Sequence, residues 1–217
     1  MTKHLHVKYA NPLEREYEAW IVAGIERYLK DIGLPYAIWA ISPDQEKKWP
    51  SDEKLKLPSK VVGLQFKQAK LAKGAIAPDR LNWSLHQPST QFSLVKSHKE
   101  IFYCLPTFIN RDLREQALHH CLFWRPDLSI PDNKNVWYDN PAAHTPYKNE
   151  MNSMRWGLFL EMVLDCNIGA KVTSAAEGEA VLERLTAVAQ ESANEIRARN
   201  EVEIDLGFYA LAVGLES

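Results

Sequence analysis

The chain has 217 residues, of which 46% are hydrophobic and 25% charged, and its formal net charge is −2. No apolar run reaches the roughly 18 residues of a membrane span, the N-terminal segment lacks the apolar core of a signal peptide, and the charge excludes a generally basic nucleic-acid binder. Three scattered cysteines fit neither a disulfide framework nor a zinc site. We therefore expect one reduced, cytoplasmic domain over residues 1–217, without a membrane partner.

The first half of the chain predicts helices on either side of a set of strands. Apolar residues recur at helical spacing from Leu13 to Leu29, with Asn11-Pro12 as cap and first-turn proline and Gly33 as the end. Strands are predicted at 36–41, 61–67, 81–86 and 100–106, with a short one near 53–57 and a helix capped by Ser89. The order α-β-β-β-α-β, with one extra strand, predicts an α/β (α+β) fold with a mixed sheet and flanking helices.

The second half of the chain predicts further elements around that core. They are a helix at 111–119, a strand at 121–125, helices at 154–166 and 175–199, and a strand within 202–213. No internal repeat or linker separates the two halves. We therefore predict a single domain in which residues 13–108 form the core and residues 109–217 form a helical and strand elaboration.

Two polar side chains stand at the end of an otherwise apolar strand, in the stretch VVGLQFKQAK. Residues two apart on a strand point the same way, so Gln65 and Lys67 are predicted to share one face. The surrounding residues 47–80 carry nine Lys/Arg against three Asp/Glu, whereas residues 177–205 carry eight Asp/Glu against three Arg. A positive field attracts an anionic ligand, although a solvated lysine-rich loop has the same composition.

Metal-dependent phosphodiester cleavage uses residues of these types. Mg²⁺ takes hard oxygen ligands, usually one or two carboxylates with phosphate and water, and it activates a water and neutralises charge on the phosphate. A lysine on the same strand face can position that water and stabilise the developing negative charge. The spacing of Gln65 and Lys67 satisfies this requirement.

These residues resemble the PD-(D/E)XK nuclease superfamily, in its variants that carry Q-x-K in place of (D/E)-x-K. The resemblance covers about residues 13–108: Gln65-Phe66-Lys67 ends a strand, Asp52 lies 13 residues before Gln65, and Glu14 lies in the preceding helix. A helix with Gln91 before a core strand also agrees. The resemblance implies a restriction-endonuclease-like fold and a Mg²⁺- or Mn²⁺-dependent endonuclease that acts on DNA in restriction, phage defence or repair.

The resemblance also implies residue roles. Asp52 and Gln65 would hold the metal, with Lys67 as the catalytic lysine and Glu14 in support. Because glutamine is neutral, the site has one carboxylate fewer than its relatives. The same loop offers other acidic residues as the ligand in place of Asp52: Asp44, Glu46 and Glu53. The residues predicted to contact nucleic acid are Lys54, Lys70, Lys73 and Gln91.

Two other functions remain open at this point. A catalytically inactive subunit of the same fold would bind nucleic acid or a larger partner protein, with the basic stretch on phosphate and the acidic 177–205 stretch as a docking surface. A small-molecule enzyme is the third alternative, although no phosphate-binding glycine loop is present. A homodimer is compatible with the nuclease hypothesis, because a double-strand cut needs two facing sites.

Several other residues have a structural and a functional interpretation. His119-His120 could bind a metal, but adjacent strand residues point to opposite faces, which favours structural roles. Cys104 lies in an apolar run and favours core packing. Trp49 and Trp83 flank the basic strand and are candidates for base stacking. The acidic residues at the start of the first helix, Glu14, Glu16 and Glu18, could simply complement its dipole.

Overall fold

The computed structural model describes residues 11–42, 58–71, 81–85, 89–131, 137–138, 153–198 and 207–215. The helices within these ranges are α1 (Glu14–Asp31), α2 (Gln91–Ser97), α3 (Trp156–Leu164), α4 (Ala175–Ala198) and a 3₁₀ helix at Arg111–Gln116. The strands are β1 (Tyr36–Ala40), β2 (Ser59–Phe66), β3 (Ala69–Leu71), β4 (Leu81–Trp83), β5 (Ile101–Pro106), β6 (Cys121–Trp124), β7 (Trp137–Tyr138), β8 (Ala170–Val172) and β9 (Phe208–Gly214).

The main sheet is mixed and has β2 at its centre. Its order is β1-β9-β2-β5-β6, and β8 pairs with the start of β2. The pairing of β2 with β5 is parallel, whereas β9 runs antiparallel to both β1 and β2. All eight residues of β2 are buried, because neighbouring strands cover its edges and helices cover its faces. A second, three-stranded sheet has the order β3-β4-β7.

Helices cover both faces of the main sheet. On one face, Phe92 of α2 stacks on Tyr103 of β5, with ring centroids 6.4 Å apart. On the opposite face, Phe159 of α3 packs edge-on against Phe102, the preceding residue of β5, at 5.2 Å. Because successive strand residues point to opposite faces, these two contacts place α2 and α3 on different sides of the sheet. The arrangement is a three-layer mixed α/β fold.

The predicted class, mixed α/β with a mixed sheet and flanking helices, is confirmed. The restriction-endonuclease-like arrangement stays a prediction, and the short strand proposed near 53–57 lies outside the described residues. In the main sheet, the place between β1 and β2 belongs to β9, which comes from the last residues of the chain. The 109–217 portion therefore contributes to the same sheet as the 13–108 portion.

Three local predictions differ from the structure at the ends of helices. Helix α1 begins at Glu14, so Pro12 precedes it, and the Leu13 N–H is capped by the Glu16 carboxylate at 2.8 Å. The predicted helix at 111–119 is a 3₁₀ helix followed by turns. Ser89 does not cap α2; it donates to the Glu195 carboxylate of α4 instead, because a charged acceptor is the stronger partner.

Candidate active site

Lys67 is a buried lysine one residue beyond the end of β2. Its backbone N–H donates to the Cys104 carbonyl of β5 at 3.2 Å, which holds this residue at the sheet. Only 4% of the residue is exposed. Burial lowers the pKa of Lys67, while the negative charges of Glu14 and Glu18 raise it in opposition. Lys67 therefore lies in a dehydrated environment within electrostatic range of two carboxylates.

Helix α1 supplies both carboxylates from one face. Glu14 and Glu18 are four residues apart and therefore lie one helical turn apart on the same side. One Glu14 oxygen, Oε2, accepts a hydrogen bond from the Gln68 N–H at 3.1 Å, which ties α1 to the segment after β2. Glu18 is 5% exposed, and its Oε2 accepts from the Tyr209 hydroxyl at 3.5 Å. Glu14 is thus tied to the segment after β2, and Glu18 is tied to β9.

Gly207, the residue just before β9, lies where these groups meet. The point at which a Cβ atom would stand is 2.5 Å from Glu18 Oε1 and 3.0 Å from Glu14 Oε1. Its carbonyl accepts from the Phe66 N–H at 2.7 Å and from Gln65 Nε2 at 3.4 Å. Both glutamate oxygens therefore converge beside one glycine, directly next to the end of β2.

Gln65 is part of the same cluster, but its side chain donates hydrogen bonds to the backbone, whereas the two glutamates accept hydrogen bonds. It is 2% exposed, and its Nε2 donates to the carbonyls of Phe66 at 3.3 Å and Gly207 at 3.4 Å. These bonds hold the amide nitrogen toward the backbone. Gln65 and Lys67 are both buried at the end of β2, and the Glu14 carboxylate accepts a hydrogen bond from the segment that follows; their roles in a site stay predictions.

Of the other predicted site residues, two lie within the described part of the chain and the rest lie outside it. Lys70 is exposed on β3, donates to Ser84 Oγ at 3.0 Å and acts electrostatically on Lys67. Gln91 is 1% exposed at the start of α2, inside the packed layer beneath that helix. Several predicted residues lie outside the described part of the chain: Asp44, Glu46, Trp49, Asp52, Glu53, Lys54 and Lys73.

Glu18 belongs to the cluster, although its position near the start of the first helix predicted only an interaction with the helix dipole. A signal for it was present in the helical spacing, because Glu18 lies on the same face as Glu14 and among apolar residues that form the core. A glutamate on a buried helix face needs a partner to offset its dehydration. Glu16, in contrast, faces away and forms an ion pair with Arg111 at 2.7 Å.

The remaining chemical candidates are structural. Trp83 is buried and its Nε1 donates to the Pro106 carbonyl at 3.0 Å, so it is a core residue rather than an open stacking platform. Cys104 and Cys121 are both fully buried, and burial raises the pKa of the Cys104 thiol well above its ordinary value. A thiol with this environment is a poor nucleophile. His119 is exposed at a turn before β6.

Comparison of the chain with protein-family models, with curated proteins and with solved structures gave no match. Within the residues that the structure describes, no group of three or more His, Cys, Asp and Glu side chains could hold a metal ion. No helix in the described ranges is long and apolar enough to cross a membrane. The cluster at the end of β2 is therefore the candidate functional site.

Proposed function

We propose that the protein is a metal-dependent nuclease that hydrolyses phosphodiester bonds in DNA, with its active site at the end of β2. The observation that supports this proposal best is a buried lysine within electrostatic range of two helix-borne carboxylates, Glu14 and Glu18. A lysine in this environment can stabilise the charge that develops on a phosphate, because the site contains little water to screen the interaction.

Two convergent carboxylates, those of Glu14 and Glu18, support a divalent ion in this proposal, although the described residues contain no group of three ligands. Mg²⁺ and Mn²⁺ accept oxygen ligands, and one or two carboxylates with phosphate and water are sufficient for Mg²⁺. Glu14 and Glu18 are the described residues that would hold the ion, and Asp52 is proposed as a further ligand. Neutralisation of phosphate charge and activation of a water are the chemistry that Mg²⁺ or Mn²⁺ would supply.

Side chains of the protein would bind the phosphate, orient the water and stabilise the site. Lys67 would donate hydrogen bonds to a phosphate oxygen and orient the attacking water. Gln65 would hold Gly207 against the end of β2 through its Nε2 and thereby stabilise the frame of the site. Lys70, exposed on β3, would contact a neighbouring phosphate of the same strand, and such contacts make binding sensitive to salt.

A catalytically inactive nuclease-fold subunit is the second candidate, and the bonding of Gln65 favours it. Its Nε2 donates to two backbone carbonyls, as in a structural role, and a neutral amide replaces the acidic residue of the (D/E)-x-K pattern. Such a protein would bind nucleic acid or a larger partner protein without cleaving. Its affinity for DNA would fall steeply as the salt concentration rises.

Cleavage assays distinguish the two candidates. Plasmid and single-stranded DNA are incubated with Mg²⁺, Mn²⁺ or EDTA and with the wild type, Lys67→Ala or the control Lys30→Ala, which removes an exposed lysine at the far end of α1. The nuclease proposal expects metal-dependent cleavage by the wild type and the control, lost in Lys67→Ala. Thermal unfolding of all three proteins checks that they are folded.

Absence of cleavage by folded wild-type protein would contradict the nuclease proposal. Salt-sensitive DNA binding in the same preparation would then support the inactive subunit, whereas binding to neither DNA form would leave a larger partner protein as the ligand of that subunit. Cleavage that survives in Lys67→Ala would retain the activity but reject Lys67 as the catalytic lysine.

A further inference from the structure

Gly207 contacts several groups of the candidate active site. Its carbonyl accepts hydrogen bonds from Phe66 and Gln65, next to Lys67. Its Cα faces the carboxylates of Glu14 and Glu18, whose Oε1 atoms lie 3.0 Å and 2.5 Å from the position of a Cβ atom. The glycine just before β9 therefore contacts both elements that supply the proposed catalytic groups.

A side chain at this position would displace the carboxylates. Real Cβ atoms do not approach other heavy atoms within 3.0 Å, so an alanine here requires Glu18 to move, and Glu14 to give way as well. The charges of both glutamates act on Lys67, so their displacement would also change the electrostatic environment of the lysine. The absence of a side chain at 207 is thus a geometric condition for the observed arrangement.

We infer that Gly207 is a positioning residue of the active site: because it lacks a side chain, the carboxylates of Glu14 and Glu18 can close on one point beside Lys67. The inference rests on the proposed function, since it concerns the same metal site. It assigns a functional role to the C-terminal strand, which lies outside the 13–108 segment that resembles nucleases.

A competing explanation is that Gly207 is needed only for its backbone conformation. Its φ is +50°, in the left-handed region that disfavours residues with a Cβ. Gly33, just after α1, provides a matched control, because its φ is +72° and no heavy atom lies within 4 Å of its Cβ position. Gly33→Ala therefore carries the conformational cost without the contact to the carboxylates.

The test measures Mn²⁺ binding to protein that has been stripped of metal with EDTA. Isothermal titration calorimetry and the electron paramagnetic resonance of the ion report the binding. We expect Gly207→Ala to weaken Mn²⁺ binding by about 10- to 100-fold, as is typical when the groups that orient metal ligands are disturbed. Gly33→Ala should bind Mn²⁺ like the wild type while shifting the thermal midpoint. Equal Mn²⁺ affinity in Gly207→Ala and wild type overturns the inference.

A double variant distinguishes the contact between residue 207 and Glu18 from strain in the backbone at residue 207. Glu18→Asp shortens the side chain that lies nearest to the introduced methyl group. If the two residues act through that contact, the loss of Mn²⁺ affinity in Glu18→Asp/Gly207→Ala is smaller than the combined losses of the single variants, whereas independent effects add. Should Gly207→Ala fail to fold, folding of the double variant supports the inference and its failure contradicts it.

These outcomes separate the inference from the proposed function. Folded wild-type protein that binds no Mn²⁺ contradicts the metal-dependent nuclease and, with it, the role of Gly207. Wild-type protein that binds Mn²⁺, with an unaffected Gly207→Ala, leaves the nuclease proposal in place and removes the inference alone.

Discussion

Strand β2 has a buried lysine near each end, and the two lysines have different partners. Lys60, the second residue of β2, and Lys67, just beyond its last residue, are each only 4% exposed. Lys60 Nζ donates to the backbone carbonyls of Cys166 at 3.4 Å and Gly169 at 3.2 Å, in the turn after α3. Lys67 is instead within electrostatic range of the carboxylates of Glu14 and Glu18.

The comparison shows that burial alone does not mark a lysine as functional. Backbone carbonyls are good acceptors for a charged donor, so the contacts of Lys60 tie β2 to the turn after α3. Carboxylates can instead exchange one cation for another or share it with a ligand. The chemistry of the partners, rather than the degree of burial, therefore directs attention to the Lys67 end.

The largest expected effect is on catalysis at the Lys67 end. We expect Lys67→Ala to lower the rate of metal-dependent DNA cleavage by about 10²- to 10⁴-fold, the usual contribution of a positioned acid–base group. Lys60→Met should keep the wild-type rate per folded molecule, as measured by plasmid nicking in Mn²⁺. Similar losses in both variants would remove the distinction between the two ends of β2.

The second prediction concerns stability at the Lys60 end. Lys60→Met removes the donor from two carbonyls and should lower the free energy of unfolding by about 1–3 kcal/mol, the cost of leaving buried polar groups unsatisfied. Urea denaturation measures the change. Lys171→Met, at the exposed position opposite Lys60 in β8, is the control and should change stability little. A stable Lys60→Met protein would show that these bonds contribute nothing.

A third prediction tests whether an acidic group can form a structural tie like that of Lys60. The Glu195 carboxylate accepts hydrogen bonds from the N–H and hydroxyl groups of Ser89 and Thr90 at 2.6–2.9 Å. Although burial raises the pKa of Glu195, these bonds lower it to about 2. Glu195→Gln should cost about 1–2 kcal/mol of stability at pH 7.

The pH dependence of that cost has a defined sign. Because the pKa of Glu195 is lower in the folded protein than its ordinary value of 4.5, the stabilisation is complete above that value and is lost as the pH falls toward about 2. The difference in urea midpoint between wild type and Glu195→Gln should shrink over this range. Glu191→Gln, exposed on the same helix, is the control. A difference that does not change with pH would contradict this account.

The smallest effect is expected on the opposite face of α1. The hydrogen bonds from Arg111 and from the Leu13 N–H lower the pKa of Glu16. Because this ion pair is partly exposed, Glu16→Gln should cost no more than about 1 kcal/mol in urea denaturation. It should also leave Mn²⁺ affinity unchanged, unlike Glu18→Gln. A loss of affinity in both variants would mean that overall charge, rather than the site, controls binding.

The local sequence pattern by itself determined the helix and the strand that contain the candidate site residues. Helical spacing of apolar residues predicted the helix that became α1, and a run of strand-forming residues predicted the strand that became β2. Two polar residues in that run, Gln65 and Lys67, indicated an unusual position, and both are buried. These inferences succeed because they depend on neighbours within a few residues along the chain.

Only the tertiary structure decided which distant groups meet at each end of β2. The insertion of β9 between β1 and β2 brings Gly207 to Glu14 and Glu18, and the turn after α3 brings carbonyls to Lys60. Long-range strand pairing depends on how whole faces pack, so no short stretch of sequence encodes it. For this reason the sequence could indicate that Lys67 is unusual, while its difference from Lys60 required the fold.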